Sequence, residues 1–310
     1  MSNQYYTQAN ELVGRMTLEE KALLLTGDGW WATHPIERLE IPSVSLTDGP
    51  HGVRKGQGAG LATSVPATCF PTACALSCSW DSDLLRKVGV ALGVESQAID
   101  VQILLGPGVN MKRSPLGGRN FEYFAEDPVL AGKLAAAYID GVQSQGVGTS
   151  LKHYAVNNQE FERMATSSNV DERTLHEIYL PAFEIAVKES RPWTVMSAYN
   201  LVNGTYASEH RELLRDILRD QWGFQGFVVS DWGGINERVA GLEGGTDLEM
   251  PGSGDYNSKK IIAAVQEGRL SRETLDRSVK EVLAVILKAK DNRKKSAGFD
   301  VDAHHALARE

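Results

Sequence analysis

Cysteine is scarce in this chain of 310 residues: only Cys69, Cys74 and Cys78, an odd number gathered in one segment. There is no Cys-x-x-Cys pair and only His51 lies near, so no metal is expected and the three read as small buried thiols. Long apolar runs are missing as well. None approaches the roughly 18 residues that cross a bilayer, and residues 1–15 are polar, without the apolar stretch of a signal peptide. The default expectation is a soluble cytoplasmic protein with no membrane partner. Positive charge is also in short supply, with 32 Lys and Arg against 40 Asp and Glu, a net charge of -8 and a pI near 5.5. A phosphate-backbone partner needs a basic face, so no nucleic acid is expected. Finally, the glycine run Gly56-Gln57-Gly58-Ala59-Gly60 lacks the Lys-Ser/Thr of a phosphate loop and does not join a strand to a helix in the required way. No cofactor is expected.

What the chain does have is a rhythm. Short β-branched runs alternate with amphipathic helical stretches, which implies parallel strands joined by crossover helices and hence an α/β fold. Strands are expected at 41–47, 101–105, 148–151, 193–200, 227–231 and 246–250, six or seven in all. Helices are expected at 17–25, capped by Thr17 with Glu20 at the capping-box position, and at 80–99, capped by Asp81. Others fall at 129–145, 171–189, 209–221, 258–267 and 272–290. The stretch 27–31, rich in glycine and tryptophan, reads as a loop, and Lys288 to Lys295 as a solvated helix end. The length suits one (β/α) TIM-like barrel, distorted or incomplete, over residues 1–290.

The most informative stretch is Gly223 to Gly233, a buried strand that ends in Asp231 and Trp232. In parallel α/β folds the C-terminal strand tips face the ligand crevice. Similar tips or the loops after them carry Asp48, Arg119, Lys152, His153, Arg163, Met196 and Tyr199. Carboxylates and cations in that mixture suit the hydroxyls of a sugar, and Tyr199 and Trp232 offer flat faces for its C–H side. The alternatives are ordinary: Ser-Asp as a helix cap, Lys152 and Arg163 in rim ion pairs with Glu160 or Asp171, His153 as a satisfied structural histidine, and Met196 as core filler.

Four stretches together resemble the N-terminal barrel domain of glycoside hydrolase family 3, in its β-glucosidase branch. They are Lys152 to Glu160, Gly117 to Glu122 with Asp127-Pro128, Val195 to Asn200, and Val228 to Trp232. The resemblance covers nearly the whole chain in order. It implies that Asp231 is the catalytic nucleophile of a retaining β-glycosidase, and that Asp48, Arg119, Lys152, His153 and Arg163 hold the sugar hydroxyls. Met196, Tyr199 and Trp232 would shape the subsite. Arg119 or Lys152 is expected to keep Asp231 ionised, and the Tyr199 hydroxyl to orient it.

Retaining hydrolysis needs a second carboxyl about 5 to 5.5 Å from the nucleophile. In this branch it lies in a following α/β sandwich domain, and residues 291–310 resemble the linker toward it. The Gly-His-Gly motif of the N-acetylglucosaminide branch is absent, and Glu122, Glu160 and Glu249 are undistinguished substitutes. The expected partners are therefore a β-linked glucoside or oligosaccharide and a C-terminal sandwich domain or separate chain that supplies the acid/base. The alternatives are a non-catalytic carbohydrate-binding barrel or β-xylosidase-type specificity.

Overall fold

The computed structural model describes residues 3–56, 63–294 and 297–310. Most of the glycine run at 56–60 and the end of the basic cluster at Lys295 therefore lie outside the described residues. The chain opens with α1 (Asn3–Arg15) and α2 (Leu18–Leu24). Thr17 and Glu20 close the capping box at the start of α2 as their spacing predicts, each side chain bonding the other's backbone amide.

Two strands then form where the sequence reads as a loop: β1 (Gly27–Asp28) and β2 (Ala32–Thr33), paired antiparallel. Each is two residues long, too short to show any periodicity. Strand β3 shrinks to Leu46–Thr47, since Pro42 has no N–H to give a ladder and Ile41 bridges back to Ile36. After α3 (Ala73–Leu76) comes α4 (Ser82–Ala98), whose first amides bond the Asp81 carboxylate as expected. Strand β4 (Ile103–Leu104), α5 (Pro128–Ser144), β5 (Gly148–Tyr154) and β6 (Ser167–Ser168) follow.

The helix expected over 171–189 is broken into α6 (Glu172–Thr174), a π-turn at Leu175–Tyr179 and α7 (Pro181–Ser190). Pro181 cannot donate, and the chain takes up an extra residue before it, the Leu180 amide reaching back to the Leu175 carbonyl. Strands β7 (Thr194–Ser197), β8 (Leu201–Val202) and β9 (Thr205–Tyr206) come next. A π-helical segment at Glu212–Gln221 leads into β10 (Phe227–Ser230). The remaining helices are α8 (Arg238–Gly244), α9 (Tyr256–Gln266), α10 (Arg272–Asn292) and α11 (Val301–Arg309).

Five parallel strands stand in the order β10-β7-β5-β4-β3. Backbone bonds carry this sheet round into a ring. Leu248 pairs with Val229 beyond β10, Glu249 pairs with Thr26 at the start of β1, and Ala32 of β2 pairs with Ser45 beside β3. The ring thus comprises β1, β2, β3, β4, β5, β7, β10 and the 248–249 segment, and β2 alone runs antiparallel. It is a distorted (β/α) barrel, one stave or two richer than the sequence pattern reveals. Alternate strand residues part between two cores. Leu104, Leu151, Val195 and Val228 pack in the core that holds the α4, α5 and α7 side chains, whereas Ile103, Met196, Phe227 and Val229 join Leu46, Leu248 and the apolar face of α10.

The expected linker residues also take definite positions. Helix α11 returns to α4, where His304 Nδ1 lies 2.6 Å from the fully buried Glu95 carboxylate. Lys288 corrects the picture of a wholly solvated helix end. It is half buried, with its ammonium 4.2 Å from the Trp193 ring centroid, because α10 turns that face toward the barrel. The cysteines correct another expectation: Cys69 and Cys78 are exposed and Cys74 is only partly covered. Their helical turn lies at the surface, and the segment is anchored by Leu76 and Phe70 instead. Among the described residues no helix is long and apolar enough to cross a membrane.

Candidate active site

A cavity of about 250 Å³ is lined by Asp48, Arg119, Lys152, His153, Arg163, Met196, Tyr199, Asp231 and Trp232, every site residue picked out in the sequence. It also takes in Trp30, Trp31, Arg54 and Leu105, which the sequence reading missed. Asp48 follows β3, Met196 lies within β7, and Asp231 follows β10, so the parallel register delivers them to one end of the ring. Lys152 and His153 are neighbours inside β5, and in a regular strand they would face opposite sides. The ladder between β5 and β7 is irregular between Leu151 and Tyr154, and this lets both side chains reach the cavity. Asn110 fixes the His153 backbone from both directions, accepting from its amide at 2.8 Å and donating to its carbonyl at 2.9 Å.

Asp231 is 8% exposed. Its Oδ1 accepts from the Trp232 amide at 2.8 Å, whereas Oδ2 is buried with no hydrogen-bond donor among the described residues. Burial raises the Asp231 pKa above the ordinary carboxylate value, and Arg119, the Trp232 amide, Lys152 and Tyr199 offset only part of that rise. The cationic neighbours thus act in the expected direction but do not outweigh desolvation. The Tyr199 hydroxyl donates to the Trp232 carbonyl at 2.8 Å, holding the residue after Asp231 in place, and Tyr199 is also among the groups that act on the Asp231 carboxylate itself.

His153 is buried, and burial comes first among the causes that push its pKa well down, ahead of Arg119, Lys152 and Arg163. It is therefore neutral, and its partners fix the tautomer. Arg119 Nη2 lies 3.0 Å from Nε2, and a guanidinium only donates, so Nε2 accepts. Nδ1 then carries the proton and gives it to the Tyr123 hydroxyl at 3.0 Å. Consequently the approach of His153 Nε2 to Asp231 Oδ2, 3.6 Å, sets a lone pair against a carboxylate oxygen and is no salt bridge.

The cations have protein partners. Lys152 Nζ meets Asp48 Oδ1 at 3.0 Å. Against the cost of burial, each partner holds the other charged: Asp48 is lowered and Lys152 raised. Arg119 pairs with Glu122, and Arg163 bonds Glu160 at 2.8 Å while lying 4.5 Å from the Tyr199 ring centroid. The rim pairing of Arg163 with Glu160 and the lining role of Arg163 thus coexist. Glu249 is buried and bonded by Asn257 at 2.6 Å. None of Glu122, Glu160 and Glu249 lines the cavity.

Known proteins share this arrangement of chain. A family model described as the glycosyl hydrolase family 3 N terminal domain matches residues 32–285. The chain is 57% identical over 304 residues to thermostable beta-glucosidase B of Acetivibrio thermocellus, covering 97% of this chain and 40% of that protein. It is 47% identical over 318 residues to an exo-alpha-(1->6)-L-arabinopyranosidase of Bifidobacterium breve, covering 99% and 41% respectively. The solved structure of beta-glucosidase 3B from Thermotoga neapolitana in complex with glucose superposes with a TM-score of 0.92 at 42% identity, over 97% of this chain and 46% of that one. The chain therefore spans about two fifths of the length of these curated relatives. By its N-terminal-domain match and by relatives of this identity, the chain belongs to glycosyl hydrolase family 3.

Proposed function

We propose that this chain is the nucleophile-bearing barrel of a retaining β-glycosidase that acts on glucosides. One observation carries the reading: Asp231, whose Oδ2 is buried with no hydrogen-bond donor among the described residues, lines a cavity sized for a single sugar ring. A buried carboxylate with one oxygen left without a donor is a costly arrangement for a fold and a suitable one for a nucleophile. A carboxylate oxygen of Asp231 attacks the anomeric carbon, the bond from that carbon to the leaving oxygen breaks, and a glycosyl ester forms. Water then displaces Asp231 in the second step. Arg119 and the Trp232 amide hold negative charge on the carboxylate, and the Lys152–Asp48 pair offers charged groups to hydroxyls. Neutral His153 presents no proton to Asp231, so the nucleophile is not quenched by its neighbour.

The leaving oxygen must be protonated. Asp48 is the cavity's other carboxyl, and Lys152 keeps it ionised, unsuited to act as an acid. The acid/base therefore comes from outside this barrel, from a C-terminal α/β sandwich domain or a separate chain. About 60% of the length of the Acetivibrio thermocellus relative is unmatched by this chain, which leaves room for it. The test is leaving-group dependence. Without general-acid help the barrel alone hydrolyses dinitrophenyl glucoside far better, relative to full-length homologues, than cellobiose, whose turnover falls by about 10²- to 10⁴-fold. Full turnover of cellobiose by this chain would sink the reading and place an acid within it.

A further inference from the structure

We propose that Tyr123 is a positioning residue for the hydrolysis: its hydroxyl accepts the His153 Nδ1 proton, which keeps the other ring nitrogen bare beside Asp231 and the nucleophile free of a donor. This rests on the nucleophile reading above and names the group that guards it. Tyr123 is not among the residues that line the cavity, so it acts through His153 and not on a sugar.

The tyrosine is built into its place. It follows the short helical turn Asn120–Glu122 and is only 3% exposed. Next to it in sequence Phe124 is buried in the core, and the Phe124 carbonyl accepts from the Ser77 hydroxyl at 2.6 Å. In space its neighbour is Gly108, which bridges both to Tyr123 and to Lys152, the residue before His153. A Cβ on Gly108 would stand 2.8 Å from Tyr123 Cε1 and 2.9 Å from Cδ1, so the ring fills the space that a side chain at 108 would need. This packing sets the Tyr123 ring edge-on to the imidazole, with centroids 6.0 Å apart, planes at 81° and the hydroxyl 3.0 Å from Nδ1. Burial above all raises the Tyr123 pKa well beyond that of an ordinary phenol, so the group stays a neutral hydroxyl.

The bond made at one nitrogen of a neutral histidine decides which nitrogen carries the proton. Arg119 brings a donor to Nε2 at 3.0 Å and Tyr123 an acceptor to Nδ1, and together they leave one tautomer. Without the hydroxyl, Nδ1–H becomes a buried donor with no acceptor, a costly state. The proton is then better held on Nε2, which lies 3.6 Å from Asp231 Oδ2, and a small turn of the ring supplies that oxygen with a donor. Arg119 gives up its bond to Nε2 but keeps Glu122. A hydrogen bond to the ionised carboxylate lowers the Asp231 pKa and makes the carboxylate less nucleophilic.

Tyr123→Phe keeps the ring that Gly108 accommodates and deletes only the oxygen, and it tests this on the whole chain in two ways. Nitrogen NMR of the histidine-labelled chain, with His153 identified by its loss in His153→Gln, should show Nδ1 protonated and Nε2 bare in the wild type and the reverse in Tyr123→Phe. Single-turnover formation of the fluoroglucosyl ester from dinitrophenyl 2-deoxy-2-fluoroglucoside should be about 3- to 10-fold slower in the variant at neutral pH, the effect of one hydrogen bond. Its acid limb should also lie at lower pH than in the wild type. Arg119, Lys152 and Tyr199, the other side chains that act on Asp231, are the same in both proteins, so that shift reports the new bond. A wild-type ring protonated on Nε2 overturns the proposal without any variant. An unchanged tautomer in Tyr123→Phe also overturns it, as does a slower reaction whose pH profile stays in place, which would make Tyr123 a structural support only. If the wild-type chain forms no adduct, the nucleophile reading falls and this inference with it; the nitrogen spectra need no turnover and so tell the two failures apart.

Discussion

Replacing Asp231 with Asn should make the protein more stable while removing its proposed nucleophile. In the native protein Oδ2 has no donor and faces the lone pair of His153 Nε2 at 3.6 Å. In Asp231→Asn the buried charge is removed, and the amide oxygen would keep the bond from the Trp232 N–H. Relief of a buried, incompletely bonded charge, less the lost attraction to Arg119, is worth about 1–2 kcal/mol. For a chain of this size that is a rise of about 2–4 °C in Tm. The pH dependence has a definite sign. Burial raises the folded-state pKa of Asp231 above its unfolded value, so the ionised carboxylate costs stability above the folded pKa. That cost disappears as pH falls below the unfolded value of about 3.9. The advantage of Asp231→Asn should therefore be fully present at neutral pH and fade on acidification. Calorimetric melts of both proteins across that range measure it. A variant less stable than wild type at pH 7, or an advantage that grows toward acid, would refute the reasoning.

Two further substitutions probe the scaffold. Arg238 is fully buried and donates to the carbonyls of Asp247 at 2.7 Å and of Thr246 and Leu25 at 3.2 Å, stitching β1 to the 246–249 segment at the barrel seam. Arg238→Met strands the Thr246 and Asp247 carbonyls, and urea unfolding should show a loss of about 3–5 kcal/mol; a loss below about 1 kcal/mol would show that the seam does not depend on it. Lys152→Met leaves Asp48 without its counter-ion, and because the Asp48 side chain is 38% exposed and can be hydrated, the cost should be about 1–2 kcal/mol. Asp48 is depressed in the folded wild type, so its contribution is present above the unfolded pKa and lost as pH falls through the folded one. The variant should lack that acid-side loss, visible as a flatter stability profile below about pH 4; an unchanged acid slope would contradict the pairing.

What the sequence discloses is what local chemistry decides. The Thr17 capping box and the Asp81 cap are each made within three or four residues, so their spacing alone foretells them. The nine site residues could be gathered because parallel strands send their tips to one end, and the structure does bring all nine to one cavity, whatever role each plays there. The features that escaped depend on contacts distant in sequence. Strands β1 and β2 exist because Thr26 meets Glu249 and Ala32 meets Ser45, pairings that two-residue segments cannot announce. Tyr123 and Asn110, which orient His153 and fix its backbone, lie in a loop whose polarity says only that it is not core. The cysteines illustrate the reverse error: composition favours burial of free thiols, but Cys69, in an irregular segment, and Cys78, in a short helical turn, are both exposed. The net rise in the Asp231 pKa is likewise set by how completely the barrel buries it, and no count of neighbouring cations could supply that.

The central claim is that Asp231 and a sugar position are both assembled within this barrel. The most direct measurement is to incubate the folded chain with dinitrophenyl 2-deoxy-2-fluoroglucoside, whose leaving group departs without an acid, and to take the intact mass. A single fluoroglucosyl ester that maps to Asp231 and is lost in Asp231→Asn is the predicted result. An adduct on another residue, or none on a chain shown by its melt to be folded, would contradict the claim.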